Sequence, residues 1–112
     1  MNITNKRRAK IIHEILAEII NNIIKNDQIG YINVTNVDLS NDLSFSSVYY
    51  TILNDKIDNI SLSTKILEKN KSIIRKKLAE QIRNMKKIPF LIFKYDNSLN
   101  YGKKIEKLLE QI

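Results

Sequence analysis

Lys71, Arg75, Lys76, Arg83, Lys86 and Lys87 crowd into one stretch, KSIIRKKLAEQIRNMKKIPFLIFKYD, of a 112-residue chain. Fixed positive charges at close spacing bind phosphate and other anions without transferring a group. The apolar residues between them set the geometry. Ile74, Leu78, Ile82 and Met85 follow one another at helical spacing and would stack on one face of a helix. Lys76, Arg83 and Lys87 then fall on the opposite side, with Arg75 and Lys86 on a flank. A smaller cluster, Lys6, Arg7 and Arg8, stands before the first apolar stripe. It reads as a solvated helix start, with auxiliary phosphate contacts as the sharper alternative.

Other chemistry finds few residues to use. The absence of cysteine excludes disulfides, thiolate metal sites and a cysteine nucleophile. With two glycines, Gly30 and Gly102, neither a Walker loop nor a dinucleotide fingerprint can be written. The carboxylates are scattered, with no pair suited to general acid–base work or a divalent ion. His13 is the only histidine and has no metal-ligating company in the sequence. No catalysis, cofactor or metal is therefore expected.

Net charge sharpens when the chain is divided. Residues 1–64 carry 6 Lys+Arg against 7 Asp+Glu (−1), and residues 65–112 carry 13 against 5 (+8), which together make the +7 of the whole. An AT-rich coding sequence can raise the lysine count but does not gather lysines in one half. A one-sided basic field suits a polyanion, either nucleic acid or an acidic membrane surface. No apolar run reaches the roughly 20 residues of a membrane span, and no signal-peptide pattern opens the chain. A single cytoplasmic domain over residues 1–112 is expected.

The elements that would position these charges can be taken in order. Lys6 to Lys25 predicts a helix with Ile12, Leu16, Ile19, Ile20 and Ile23 as its stripe, widened by Ile15 and Ile24, and with Glu14, Glu18 and Asn21 opposite. Gly30 is available for a positive φ in the turn that follows. Tyr31–Leu39 and Leu43–Leu53 predict two strands joined at Ser40-Asn41-Asp42. The shift of phase from Ile32 and Val34 to Val37 and Leu39 predicts a bulge. In the second strand, Val48, Tyr50 and Ile52 share one face and Phe45, Tyr49 and Leu53 the other. Ser61 or Ser63 offers the cap of a short helix. Asn70-Lys71-Ser72 predicts a kink or break before the basic helix, which ends at Lys87-Ile88-Pro89. Leu91, Phe93 and Tyr95 alternate in a third strand over Phe90–Tyr95. Ile105, Leu108, Leu109 and Ile112 predict a short C-terminal helix. The sum is an α+β domain with helices on one face of a three-stranded sheet.

Several of these segments, taken in sequence, resemble the ribosome-binding factor A family of bacteria. The match runs through Ile24-Lys25-Asn26-Asp27-Gln28-Ile29-Gly30, the stretch Val34 to Leu43, Val48 to Leu53 and Ile73 to Ala79. It is most specific at Ile88-Pro89-Phe90-Leu91-Ile92-Phe93-Lys94-Tyr95-Asp96-Asn97-Ser98-Leu99, followed by Gly102 and Ile105. The resemblance implies a type II KH-like fold, α-β-β-α-α-β, and no enzymatic activity. It implies binding to the free small (30S) ribosomal subunit and its rRNA late in assembly and rRNA processing, with most importance in the cold. An assembly GTPase is implied as release partner. Two departures stand out: Asn70-Lys71-Ser72 replaces the family's Ala-x-Gly kink, and Asn26-Asp27-Gln28 replaces its Asp-Pro-Arg.

Two other readings of the residues stay open at this point. A small DNA-binding protein would use the same basic face, and a protein-interaction module would use the first helix or a sheet edge. A monomer is expected. A membrane-surface role is disfavoured, because the apolar side of the basic helix is needed for the core.

Overall fold

Five elements are seen in the computed structural model, which describes residues 3–85 and 87–97. They are α1 (Ile3–Ile23), β1 (Ile32–Leu39), β2 (Phe45–Ile52), α2 (Ile57–Gln81) and β3 (Phe90–Tyr95). The strand order is β1-β2-β3, with β1 antiparallel to β2 and β2 parallel to β3. A parallel neighbour cannot be reached by a tight turn, so α2 serves as the crossover that brings the chain back to start β3 beside β2. Both helices pack on one face of the sheet, α1 over β1 and α2 over β3, in a KH-like α+β arrangement.

The core follows the apolar periodicity. Ile12, Leu16 and Ile20 of α1 are fully buried against Ile32, Val34, Val48 and Tyr50 of the sheet and Leu67, Ile74 and Leu78 of α2. Each such side chain contributes about 1.5–3 kcal/mol by leaving water. The bulge falls where the phase shift indicated it: Val34 pairs with Tyr50 and Asn36 with Tyr49, leaving Thr35 without a partner in the ladder. That extra residue lets Ile32, Val34, Val37 and Leu39 all face the core. Gly30 has φ +73°, and a Cβ there would lie 3.1 Å from Leu53 Cβ.

Four expectations are corrected. The break at Asn70–Ser72 is absent, so the expected helical pair is one continuous helix and the order is α-β-β-α-β among the described residues. Asn70 Nδ2 donates to the Ile66 carbonyl at 2.8 Å, a bond along the helix instead of away from it. Leu67 and Ile74 bury on either side of it, and that packing outweighs a weak local propensity. Ser63 is no cap, because α2 starts at Ile57, more than a turn before it, and Ser63 lies inside the helix, fully buried.

The other two concern geometry. Asn21 does not face away from the core. Its amide donates to the Ile32 carbonyl at 2.7 Å and accepts from the Ile32 N–H at 3.1 Å, clamping the start of β1 to α1. And α2 ends at Gln81, well before Lys87. At about 1.5 Å per residue its 25 residues already span about 37 Å, whereas eight-residue β2 spans about 26 Å. A longer helix would carry the chain past the point where β3 must begin. Ile82 remains buried, and Met85 and Ile88 still pack on the core, but from a turn and not from a helix. The expected C-terminal helix lies outside the described residues.

Candidate nucleic-acid interface

Lys76 projects from α2 into solvent, and Arg83 and Lys87 are exposed on the segment linking α2 to β3. Lys77 joins them on the helix. None of the four has a carboxylate within ion-pair distance among the described residues, where the ion pair found joins Lys71 to Glu68 at 2.8 Å. Cations held without partners on a surface are available to phosphate, which binds them with release of condensed counterions. Lys86, the sixth residue of the expected ridge, lies outside the described residues.

Arg75 is committed differently. Its Nη2 donates to the Ile88 carbonyl at 2.8 Å and its Nε to the Pro89 carbonyl at 3.2 Å, and its guanidinium sits 4.6 Å from the centre of the Phe90 ring. The planar fork thus fastens the linking segment to α2 and delivers Phe90 to the start of β3. Lys71 is half-buried, paired with Glu68 and 5.7 Å from the Phe93 ring centre. The structure therefore divides the sequence-predicted residues into an outward group (Lys76, Arg83, Lys87) and an anchoring group (Lys71, Arg75).

Facing the linking segment is the β1–β2 connection. The Asp42 carboxylate accepts from the Ser44 N–H at 3.1 Å and from the Ser40 hydroxyl at 2.8 Å. Those bonds, with a smaller contribution from the Lys87 charge, hold its pKa down at about 2. Leu43, in the same loop, adopts φ +63° with its side chain tucked into the core. The run Leu43–Leu53 gave no sign that its first residue would be a left-handed turn. The Phe90 N–H donates to the Ser44 carbonyl at 2.8 Å, so this loop and the start of β3 form one unit.

The second cluster, at the start of α1, exposes Lys6 and Arg7, while Arg8 is half-buried and reaches Asn5 at 3.5 Å. No acidic residue lies in the first turn of α1. Cations near a helix N-terminus oppose the helix dipole, so these residues do not stabilise the helix that carries them. An open cleft of about 320 Å³ beside them is lined by Lys6, Lys10, His13, Asn36 and Asp38. His13 Nε2 lies 2.6 Å from the Val34 carbonyl. A carbonyl only accepts, so this nitrogen carries the proton and the ring ties α1 to the bulge. No group of three or more metal-ligating side chains occurs among the described residues, and no described helix is long and apolar enough to cross a membrane.

The outer face of the sheet carries a further group of side chains. Lys94 is exposed on the sheet face away from the helices, 5.7 Å from the Tyr49 ring centre, and Phe45, Phe90 and Ile92 are exposed on the same face. The alternation of the second strand already sets Phe45 and Tyr49 on this face; that β3 lies beside it, bringing Phe90 and Ile92, follows only from the strand order.

The family described as Ribosome-binding factor A matches residues 4–109. A protein of that name from Phytoplasma mali is 54% identical over 112 residues, covering 100% of this chain and 98% of its own. The crystal structure of ribosome-binding factor A from Thermus thermophilus superposes with a TM-score of 0.68 at 23% identity, covering 81% of this chain and 94% of the other. Coordinates of the Thermus thermophilus factor fitted into the cryo-EM map of a 30S–RbfA complex give a TM-score of 0.68 at 24% identity, covering 80% and 91%.

Proposed function

The chain belongs to the ribosome-binding factor A family, and on that premise we propose that it is a non-catalytic assembly factor that binds the free 30S subunit through its rRNA. The observation that carries this reading is the set of exposed cations, Lys76, Lys77, Arg83 and Lys87, with no ion pair among the described residues, on a chain whose second half has a balance of +8 (13 Lys+Arg against 5 Asp+Glu over residues 65–112). The fitting of a protein of this family into a 30S complex supports that choice of partner. The whole chain acts as one KH-like domain, a cytoplasmic monomer. It works late in maturation and rRNA processing, matters most in the cold, and leaves the subunit with help from an assembly GTPase.

The mechanism uses affinity alone. Exposed lysines and arginines hold sugar–phosphate backbone, which positions without reading sequence. Lys6 and Arg7 add a second, smaller set of contacts. Arg75 contributes by holding the segment that presents Arg83 and Lys87. A factor gripping immature rRNA in this way keeps it in a conformation that does not yet join the large subunit.

Sedimentation tests the reading. The purified protein mixed with ribosomal particles is expected to travel with free small subunits and not with joined ribosomes. A deletion strain grown cold is expected to accumulate precursor small-subunit rRNA. Failure to travel with small subunits, together with normal rRNA processing in the cold, would overturn it.

A further inference from the structure

The sheet has a second face, and among the described residues neither α1 nor α2 covers it. Phe45 and Phe90 are register partners across β2 and β3, 51% and 58% exposed, with ring centres 6.1 Å apart. Next along the face comes Ile92, 38% exposed, and then Tyr49 beside Lys94. In a small domain such a cluster marks an interaction site. The parts of the chain that hold it in place are rigid. β2 is the central strand, and Phe90 is backed by the Arg75 guanidinium, itself anchored on two carbonyls.

We propose that this outer face of β2 and β3 is a platform on which unpaired RNA bases stack, separate from the phosphate-binding cations of α2 and the linking segment. It rests on the reading of the chain as an RNA-contacting factor and adds a second surface with different chemistry. Three observations select this occupant. The rings are exposed and preset, and any base can stack on an aromatic face. A cation stands at each end of the patch, Arg75 by Phe90 and Lys94 by Tyr49. Phe90 and Lys94 lie four residue steps apart along β3, about 13 Å, room for about two or three bases, with exposed Lys94 set to meet a phosphate at one end. Asp38 pairs in register with Ser47 on the β1 side, and Asp96 follows the end of β3 with its carboxylate on the Thr35 hydroxyl at 2.7 Å, so both acids lie off the run from Phe90 to Lys94.

Other occupants fit less well. A duplex keeps its base planes inside the helix, out of reach of a flat sheet. A second copy laid face to face would set Lys94 and Arg75 against their own positive charges. It would also need about 800 Å² from each partner, more than five side chains supply.

The chain contains no tryptophan, so Phe90→Trp supplies a single reporter ring in the intact protein. Three probes carry equal numbers of phosphates on the reporting strand: a 12-nucleotide single-stranded RNA, the same strand annealed to its complement, and an abasic strand. The single strand is expected to quench the tryptophan and to bind at least tenfold more tightly than the abasic one, with no quenching by the duplex. In the native background, Phe45→Ala with Phe90→Ala is expected to weaken single-strand binding at least tenfold with an unchanged salt slope. Phe45→Leu with Phe90→Leu, which keeps the apolar bulk, is expected to weaken it as well. Equal affinity for single and abasic strands, or unchanged affinity in the double variants, overturns the platform. Light scattering that shows a dimer dissociating on Phe45→Ala/Phe90→Ala assigns the face to self-association and also overturns it. Wild-type protein that ignores small subunits, with strand quenching still seen in Phe90→Trp, would overturn the assembly role and leave the platform standing. The reverse result would do the opposite.

Discussion

The Tyr50 hydroxyl lies 3.1 Å from Ser63 Oγ, joining the central strand to the buried face of α2. Ser63 and Thr64 both direct their protons at the Ile60 carbonyl, at 2.6 and 3.2 Å, so the Tyr50 hydroxyl, 3.0 Å from Thr64 Oγ1, is the donor to this pair of oxygens. Every hydroxyl of this cluster thereby has a partner. Tyr50→Phe removes the middle link while keeping the ring, which also meets Tyr95 edge-on at 5.4 Å. The expected loss is about 1–3 kcal/mol in a urea unfolding curve. Tyr50→Ala, which also opens a cavity, should cost about 3–5 kcal/mol.

Ser46 presents the opposite case. Its side chain is fully buried on β2 and Oγ has no hydrogen-bond partner among the described residues. Burying an unsatisfied hydroxyl costs about 1–3 kcal/mol. Ser46→Ala removes it with almost no change of volume and is expected to raise the unfolding free energy by about 1 kcal/mol. In a domain of this size that moves Tm up by about 4 °C. A lower Tm would show that the hydroxyl is bonded after all.

Arg75 and Lys76 are neighbours with different tasks, and alanine substitutions should separate them. Arg75→Ala releases the Ile88 and Pro89 carbonyls and is expected to cost about 1–3 kcal/mol. Arg75→Lys should recover little of it, because an ammonium cannot span two carbonyls and stack on Phe90 together. Lys76→Ala should leave stability within about 0.5 kcal/mol while weakening subunit binding. Thermal melts and co-sedimentation, run on the same preparations, check both halves.

Asp42 sets an acid-side dependence. Its folded pKa is about 2 against an ordinary 3.8, a depressed value, so its contribution is complete above about pH 4 and disappears as pH falls toward 2. The bonds from Ser44 and Ser40 stabilise the charged form only. Asp42→Asn is therefore expected to be less stable than wild type at neutral pH, with the gap narrowing between about pH 4 and 2. A gap that stays constant over that window would show that the carboxylate charge is not what orders the loop.

Reversing Lys76, Arg83 and Lys87 to glutamate tests the outward cations as a set. All three are exposed and outside the core, so the fold should survive. Affinity for small subunits should fall, and the slope of log affinity against log salt should flatten by about 0.7–0.9 for each phosphate no longer neutralised. Wild-type affinity with an unchanged slope would move the interface elsewhere, with Lys6 and Arg7 the next place to look.

Much of this fold was legible from periodicity, because burial repeats with the element that produces it. The alternation of Val48, Tyr50 and Ile52 marked the inner face of β2, and the slip between Val34 and Val37 marked the bulge before any partner strand was known. The +8 of residues 65–112 marked the half of the chain suited to a polyanion. These properties belong to single elements or to their sums, and the sequence by itself determined them.

What tertiary structure alone decided were the outcomes of competition between elements. Asn70 and Ser72 weaken a helix locally, yet α2 runs through them because Leu67 and Ile74 must both reach the sheet. The stripe from Ile74 to Met85 could have continued as one helix, but it ends at Gln81 because β3 must begin beside Phe45, and Arg75 holds the returning chain there. That turn also takes Arg83 and Lys87 off the helix. Asn21 and Arg75 carry side chains that suit water as well as a buried backbone. Their roles appeared only once Ile32, Ile88 and Pro89 were brought within hydrogen-bond distance, since a polar group's partner is set by position in space and not by its place along the chain.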